Sequence, residues 1–224
     1  MRSSTVRHAP HSVRSRLHDL GLQQANLHSA ILAGELYRDE CTRNDPSILP
    51  GFMAWGKATR AMRELHSSDG WHADRVDGLE AVVSKDRRTA IVVVTGDAMT
   101  GIYSTDEGMD WRDREPRSKY PKGPAMRRAV GRNSGMFDFE GPHPALVGVT
   151  TSTWLLLINV DEDEIRCELS LPKNFDDLAH VSAWHERIIL DPIRRDPGHP
   201  WQDNLPDNDD DLGADIDVEV RRIG

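Results

Sequence analysis

Residues 153–171 read Thr-Trp-Leu-Leu-Leu-Ile-Asn-Val-Asp-Glu-Asp-Glu-Ile-Arg-Cys-Glu-Leu-Ser-Leu, and this stretch decides the fold. Its first part, 153–160, is rich in apolar and β-branched side chains, which favour a strand. The acidic residues 161–164 are typical of a solvated turn. Apolar and polar side chains then alternate through residues 165–171, as in a half-buried antiparallel strand. The sequence therefore predicts two strands joined by an acidic turn.

Three further strands are predicted on either side of this stretch. Residues 79–84 and 89–95 flank Lys85-Asp86-Arg87-Arg88, which has the composition of a hairpin turn. Residues 90–94 are apolar on both faces, so we expect this strand in the middle of a sheet with both faces covered. Residues 180–190 predict the last strand. Together these segments predict a mainly antiparallel sheet.

Helical spacing is found mainly before the strands. Apolar residues recur every three or four positions in 20–41 and again in 52–65, which predicts two amphipathic helices. A short helix over 125–131 is expected to begin at Pro124, because proline suits the first turn of a helix. Residues 104–124 are polar and proline-containing, which predicts a long loop.

We therefore expect an α+β protein with two N-terminal helices packed on a mainly antiparallel sheet of five to six strands. The predicted organisation is a basic disordered tail (1–17), a single domain (18–193) and an acidic disordered tail (194–224). Within the domain we expect a helical part (18–70) and a β-rich part (78–190) with a long basic loop (104–124).

Composition limits the possible classes of protein. The chain has 224 residues and a net charge of −9, and no apolar run approaches the length of about 18 residues that a membrane span needs. Cys41 and Cys167 are far apart in sequence, which suits two reduced thiols. The basic N-terminus lacks the apolar region of a secretory signal. We therefore expect a cytoplasmic protein without a membrane partner.

Charge is distributed unevenly, and one segment predicts a binding site. Residues 111–132 hold eight lysines and arginines against two acids, a net charge of +6. Its cations and aromatic rings are the candidate binding residues: Trp111, Arg112, Arg114, Arg117, Lys119, Tyr120, Lys122, Arg127, Arg128 and Arg132. Three interpretations stay open: neutralisation in cis by the acidic tail, an acidic protein partner, or a nucleic acid.

The sequence lacks four familiar catalytic motifs. No lysine follows an acid by two positions, as a restriction-type nuclease requires, and no P-loop, HExxH zinc motif or serine nucleophile elbow is present. We therefore predict no catalytic residue, no metal ligand and no cofactor. The alternative is an atypical metal-dependent hydrolase site near Asp77, Glu80 and Asp97.

Several turn and packing motifs resemble those of a known group of proteins. They are His18-Asp19-Leu20-Gly21-Leu22, Pro50-Gly51, Gly70-Trp71, Thr95-Gly96-Asp97, Tyr120-Pro121-Lys122-Gly123-Pro124, Thr153-Trp154-Leu155-Leu156-Leu157, Cys167-Glu168-Leu169-Ser170-Leu171-Pro172 and Trp184-His185-Glu186-Arg187-Ile188. With these motifs, residues 18–193 resemble a family of uncharacterised bacterial proteins carried on integrative elements and prophages. The resemblance implies a bacterial, cytoplasmic, mobile-element context and no particular activity.

The sequence thus predicts a non-catalytic accessory or interaction protein, and the resemblance implies that it belongs to a mobile element, with a phage-defence or conjugation locus as the candidate setting. Its expected partner is another protein. The alternative is a nucleic-acid-associated protein that binds through residues 111–132.

Overall fold

A computed structural model describes residues 4–103, 115–137 and 151–195, with the side chains of 134–137 excepted. The described residues form four helices and eight strands. In chain order these are β1 (Thr5–Arg7), α1 (Pro10–Asp19), α2 (Gln24–Asp39), α3 (Leu49–Leu65), β2 (His72–Val76), β3 (Leu79–Val83), β4 (Thr89–Thr95), α4 (Pro124–Phe137), β5 (Ser152–Val160), β6 (Glu164–Phe175), β7 (Val181–Ile189) and β8 (Ile193–Arg194).

The strands form one mixed sheet in the order β1-β7-β6-β5-β4-β3-β2, and β8 pairs with β6 at one end. Two pairings are parallel, β4 with β5 and β1 with β7, and the other pairings are antiparallel. The parallel pair β4–β5 requires a crossover connection, and α4 lies within it. The α+β class is therefore confirmed. The sheet combines parallel and antiparallel pairings.

Helices cover both faces of the sheet. α1, α2 and α3 pack on one face, where Leu27, Ile31 and Met62 join Trp154 and Leu156 in a single apolar cluster. α4 packs on the other face in a second cluster. The prediction that β4 is central and covered on both sides is confirmed, since all its residues except Thr95 are buried.

The α2–α3 hairpin is unusually close at one point. A Cβ atom on Gly34 would lie 2.5 Å from the carbonyl oxygen of Ala54 and 3.0 Å from the Cβ of Ala58. Only glycine permits this approach of the two helix backbones. Gly34, which lowers the intrinsic helix propensity of α2, is thus required by tertiary packing.

The counts of helices and strands differ from the prediction. Three N-terminal helices are present where two were expected, and the described residues form eight strands where five to six were expected. The supposed disordered tail 1–17 forms β1 and most of α1. Val13 and Leu17, one helical turn apart, are buried in the apolar cluster at 3% and 1% exposure, and Arg16 contacts Glu186 of β7.

The remaining predicted elements fall close to the observed ones. The helix predicted over 20–41 is α2, and its first residues belong to the turn that follows α1. The helix predicted over 125–131 continues to Phe137. None of the helices in the described ranges combines the length and hydropathy that crossing a bilayer requires. The acidic tail lies outside the described residues, apart from its first two positions.

Candidate binding surface around the fourth helix

The segment before α4 is hydrogen-bonded to two distant parts of the sheet. The backbone N–H of Ser118 donates to the carbonyl oxygen of Val181 in β7 at 3.0 Å, and the N–H of Lys119 donates to Thr95 O in β4 at 2.9 Å. The hydroxyl oxygen of Ser118 accepts a further bond from the N–H of Val181 at 3.0 Å. This part of the predicted loop is therefore fixed between β4 and β7.

α4 is fixed by apolar packing along one side. Met126, Ala129, Val130 and Asn133 follow at helical spacing and are all buried. Pro124 begins the helix, because its missing N–H would have no partner in the first turn anyway. The arginines between these buried positions must consequently face outward.

Asn133 joins the end of α4 to the sheet. Its side-chain amide donates to the carbonyl oxygens of Thr153 at 2.9 Å and Pro172 at 3.2 Å. Its side-chain oxygen accepts the N–H of Thr153 at 2.9 Å. One buried asparagine thus satisfies three backbone groups, which holds the helix in a fixed position over β5 and β6.

Three exposed cations lie on this fixed support: Lys119, Arg127 and Arg128. We call them the α4 surface. The ammonium of Lys119 lies 5.7 Å from the ring centre of Tyr120, and the guanidinium of Arg127 lies 5.5 Å from that of Phe175. Arg128 donates to the backbone oxygen of Asp77 at 3.0 Å. Among the described residues, no carboxylate is within salt-bridge distance of these three cations.

The other predicted binding residues have different surroundings. Arg117 forms an ion pair with Asp176 at 3.3 Å, and Arg132 forms one with Asp77. The backbone N–H of Lys122 donates to Ala179 O at 2.8 Å. Seven of the ten predicted residues therefore lie on α4 and on the segment before it. The other three, Trp111, Arg112 and Arg114, lie outside the described residues.

The proposed metal-hydrolase residues do not come together. Asp77 is paired with Arg132 of α4, whereas Glu80 is paired with Arg63 of α3 at 2.7 Å, on the opposite face of the sheet. Asp97 accepts the backbone N–H of Met99 at 3.0 Å. Within the described residues there is no group of three His, Cys, Asp or Glu side chains that could hold a metal ion. The geometry does not support this alternative.

Sequence reasoning missed a buried polar cluster on the α4 face. Glu168 is fully buried, and its carboxylate accepts bonds from Arg187 Nη2 at 2.6 Å, Arg187 Nε at 3.0 Å and Ser170 Oγ at 2.7 Å. The N–H of Gly101 donates to the same carboxylate at 2.9 Å. Arg187 is only 4% exposed and also donates to the carbonyl oxygen of Ile102 at 3.3 Å.

The alternation in β6 misled the prediction, since its polar side chains were assigned to solvent. Glu168 and Ser170 instead face the interior beneath the loop that carries Gly101. Gly101 has a φ of +71°, and its added Cβ would lie 3.1 Å from the backbone nitrogen of Cys167. Gly101 itself was the available signal in the sequence, since a glycine often marks a site where another backbone approaches closely.

The two cysteines differ in environment, and neither resembles a reactive thiol. Burial raises the pKa of Cys167 to about 12, and the nearby carboxylates of Glu168 and Asp191 act in the same direction. Desolvation also raises the pKa of Cys41, together with Asp45 and Glu40. Because the thiolate is the nucleophile, a raised pKa lowers the reactive fraction of both thiols.

Comparison with models of known protein families, with curated proteins and with solved structures finds no match for this chain.

Proposed function

We propose that the chain is a non-catalytic interaction protein of a bacterial mobile element and that its α4 surface binds an acidic partner protein. The mobile-element context, including a role in a phage-defence or conjugation locus, depends on the resemblance of residues 18–193 to the integrative-element and prophage family. The binding surface depends on geometry. The observation that carries the proposal is the exposure of Lys119, Arg127 and Arg128 on a fixed support, with no described carboxylate within salt-bridge distance of them.

The support for binding is energetic as well as geometric. Asn133 and Ser118 hold the backbone of this region, so an acidic partner meets cations whose positions are largely set before binding. Preorganised charges require less ordering on association and therefore contribute more to affinity. The aromatic rings of Tyr120 and Phe175 lie beside two of the cations and supply apolar contact area.

The support for a non-catalytic role comes from the neighbouring carboxylates. Asp77 and Asp176 are each engaged by an arginine, Arg132 and Arg117 respectively. A carboxylate whose oxygens are engaged by a guanidinium is less available to exchange a proton with a substrate. These two acids therefore position Arg117 and Arg132 beside the α4 surface.

Nucleic acid is the second candidate partner, and one observation favours it. Arg127 and Arg128 are adjacent and exposed, as phosphate-binding arginines are, and Tyr120 is a possible stacking ring near Lys119. However, Asp77 and Asp176 lie in the same region, and their negative charges would repel the phosphates of a nucleic acid. An acidic protein segment, whose charges are sparser, fits this mixed surface better.

The test compares two probes on three forms of the full-length protein. The probes are a fluorescent polyglutamate peptide and a DNA oligonucleotide, in single- and double-stranded form, at physiological salt of about 0.15 M. The forms are the unaltered protein, Arg127→Ala with Arg128→Ala, and a control with Arg14→Ala and Arg43→Ala. Arg14 and Arg43 are also exposed, so the control removes the same charge from other parts of the surface.

We expect the peptide to bind the unaltered protein and the control alike, and the Arg127/Arg128 variant to bind roughly tenfold more weakly. An equal loss in both double variants would overturn the proposal, because net charge and not this surface would then govern binding. Tighter binding of DNA than of peptide, with a steep salt dependence that the Arg127/Arg128 variant reduces, would replace the protein partner with a nucleic acid.

A further inference from the structure

The α4 surface is matched in charge by a segment of the same chain. Residues 201–224 contain seven aspartates and Glu219 against Arg221 and Arg222, a net charge of −6. The densest part is Asp207-Asn208-Asp209-Asp210-Asp211. We propose that this acidic segment binds the α4 surface in cis and must be displaced before an acidic partner can bind. This inference depends on the surface assigned above and adds its regulation.

The chain is long enough to make this contact. The described structure ends at Arg195, whose backbone N–H donates to Asp163 O at 3.0 Å. The side chain of Arg195 lies near Glu35 and Asp39 of α2, on the face of the sheet opposite α4. Asp207 follows 12 residues later. An extended chain of that length spans up to about 40 Å.

That reach is comparable with the size of the molecule. A compact chain with the length of the described fold has a radius of gyration of about 16 Å. Residues 196–207 can therefore pass around an edge of the sheet and place the aspartates beside α4. A tethered segment of this kind acts at a local concentration in the millimolar range, so weak individual contacts suffice for occupancy.

The α4 surface is the suitable acceptor because no described carboxylate lies within salt-bridge distance of its cations. Most other arginines of the described fold already contact a carboxylate, such as Arg16 with Glu186 and Arg63 with Glu80. At the α4 surface, Asp77 and Asp176 are taken by Arg132 and Arg117. Lys119, Arg127 and Arg128 remain for the acidic segment, and the attraction must weaken as salt shortens the Debye length.

A direct test of the contact is zero-length carbodiimide cross-linking of the full-length protein. This reagent joins an amine to a carboxylate only when the two touch. We expect an amide between Lys119 and a carboxylate of residues 203–219, identified by mass spectrometry in the monomer and independent of protein concentration. Lys119→Arg must remove this cross-link. Cross-links only between chains, or equally to Lys57 and Lys85, would overturn a cis contact at this surface.

The second test measures competition. One variant carries Asp207→Asn, Asp209→Asn, Asp210→Asn and Asp211→Asn. The control carries four neutralisations at exposed acids of the fold: Asp19→Asn, Glu40→Gln, Asp69→Asn and Glu162→Gln. We expect the tail variant to bind the polyglutamate peptide roughly fivefold to tenfold more tightly at low salt, and the control to change by less than roughly twofold. Equal gains in the two variants would attribute the effect to net charge and overturn the inference.

The two proposals fail in distinguishable ways. If the Lys119 cross-link forms while the peptide binds none of the variants, the contact in cis stands and the acidic partner is wrong. If the peptide binds the unaltered protein and the tail variant equally well and no cross-link forms, the binding surface stands and its regulation by the tail is wrong.

Discussion

The two faces of the central strands bury different chemistry. On the face covered by α2 and α3, strands β5 and β6 present Trp154, Leu156, Leu169 and Leu171. On the α4 face the same two strands also bury Thr153, Glu168 and Ser170, all at 0% exposure. The first face is specified by the volume and shape of its apolar side chains. The second also depends on hydrogen bonds, such as those that Glu168 accepts, so the loss of a buried polar partner there is costly.

The largest expected effect comes from breaking the buried ion pair on the α4 face. Glu168→Ala leaves the guanidinium of Arg187, which is 4% exposed, without its carboxylate. Removing one partner of a buried pair typically lowers the free energy of unfolding by about 3–5 kcal/mol. Urea denaturation of the variant and the unaltered protein measures this difference.

A double variant separates the cost of an unpaired charge from the value of the pair. Glu168→Leu combined with Arg187→Met replaces both charges with apolar side chains, and we expect it to recover most of the lost stability. A double variant as unstable as Glu168→Ala would mean that the bonds to Gly101 and Ser170 matter more than the charge pair.

A smaller or similar loss is expected one residue along the same strand. Leu169 is fully buried on the opposite face, and Leu169→Ala removes apolar volume without leaving a polar group unsatisfied. Such substitutions cost about 2–5 kcal/mol, depending on how far the surroundings collapse. The urea midpoint should fall while the dependence on urea stays unchanged. Wild-type stability in this variant would contradict the assignment of that face as the close-packed one.

Most of the fold could be predicted where periodicity was unambiguous. β4 and β5 are confirmed almost to the residue, because continuous apolar runs indicate strands covered on both sides. Their parallel pairing could not be predicted, since the crossover helix α4 was expected only as a short helix over 125–131 among polar loops. β1 and β2 were missed because short edge strands with polar residues have no periodic signature.

The candidate site could be predicted only in part. The excess of arginine in residues 111–132 identified the segment, but the sequence could not show which cations a carboxylate neutralises. Asp176 and Asp77 come from distant turns, and their pairing with Arg117 and Arg132 depends on how β6–β7 and β2–β3 fold around α4. The role of Asn133 was invisible for the same reason, because its three partners belong to other elements.

The smallest expected effect concerns two glutamates that both contact arginine. Burial raises the pKa of Glu35 above its ordinary value, against the attraction of Arg38 at 2.9 Å. A hydrogen bond from Arg63 lowers the pKa of Glu80. The contribution of Glu80 to stability is therefore present above its unfolded pKa of about 4.3 and is lost as the pH falls through its folded value. That of Glu35 is present at low pH and is lost as the pH rises through its raised folded pKa.

Thermal unfolding between acid and neutral pH checks these opposite signs. Relative to the unaltered protein, Glu35→Gln should gain stability as the pH rises, whereas Glu80→Gln should lose it. If the stability of both variants, relative to the unaltered protein, changed with pH in the same direction, burial would not explain a difference between the pKa values of Glu35 and Glu80.

The parallel pairing of β1 with β7 has a consequence for synthesis. Thr5–Arg7 binds Glu186–Ile188, and Arg7 contacts a glutamate 179 positions further along the chain. During synthesis, β1 therefore has no strand to pair with until almost all of the described sequence has emerged from the ribosome. Contacts so remote in sequence form late and slowly. Among the described strands, β1 therefore stays unpaired for longest during synthesis.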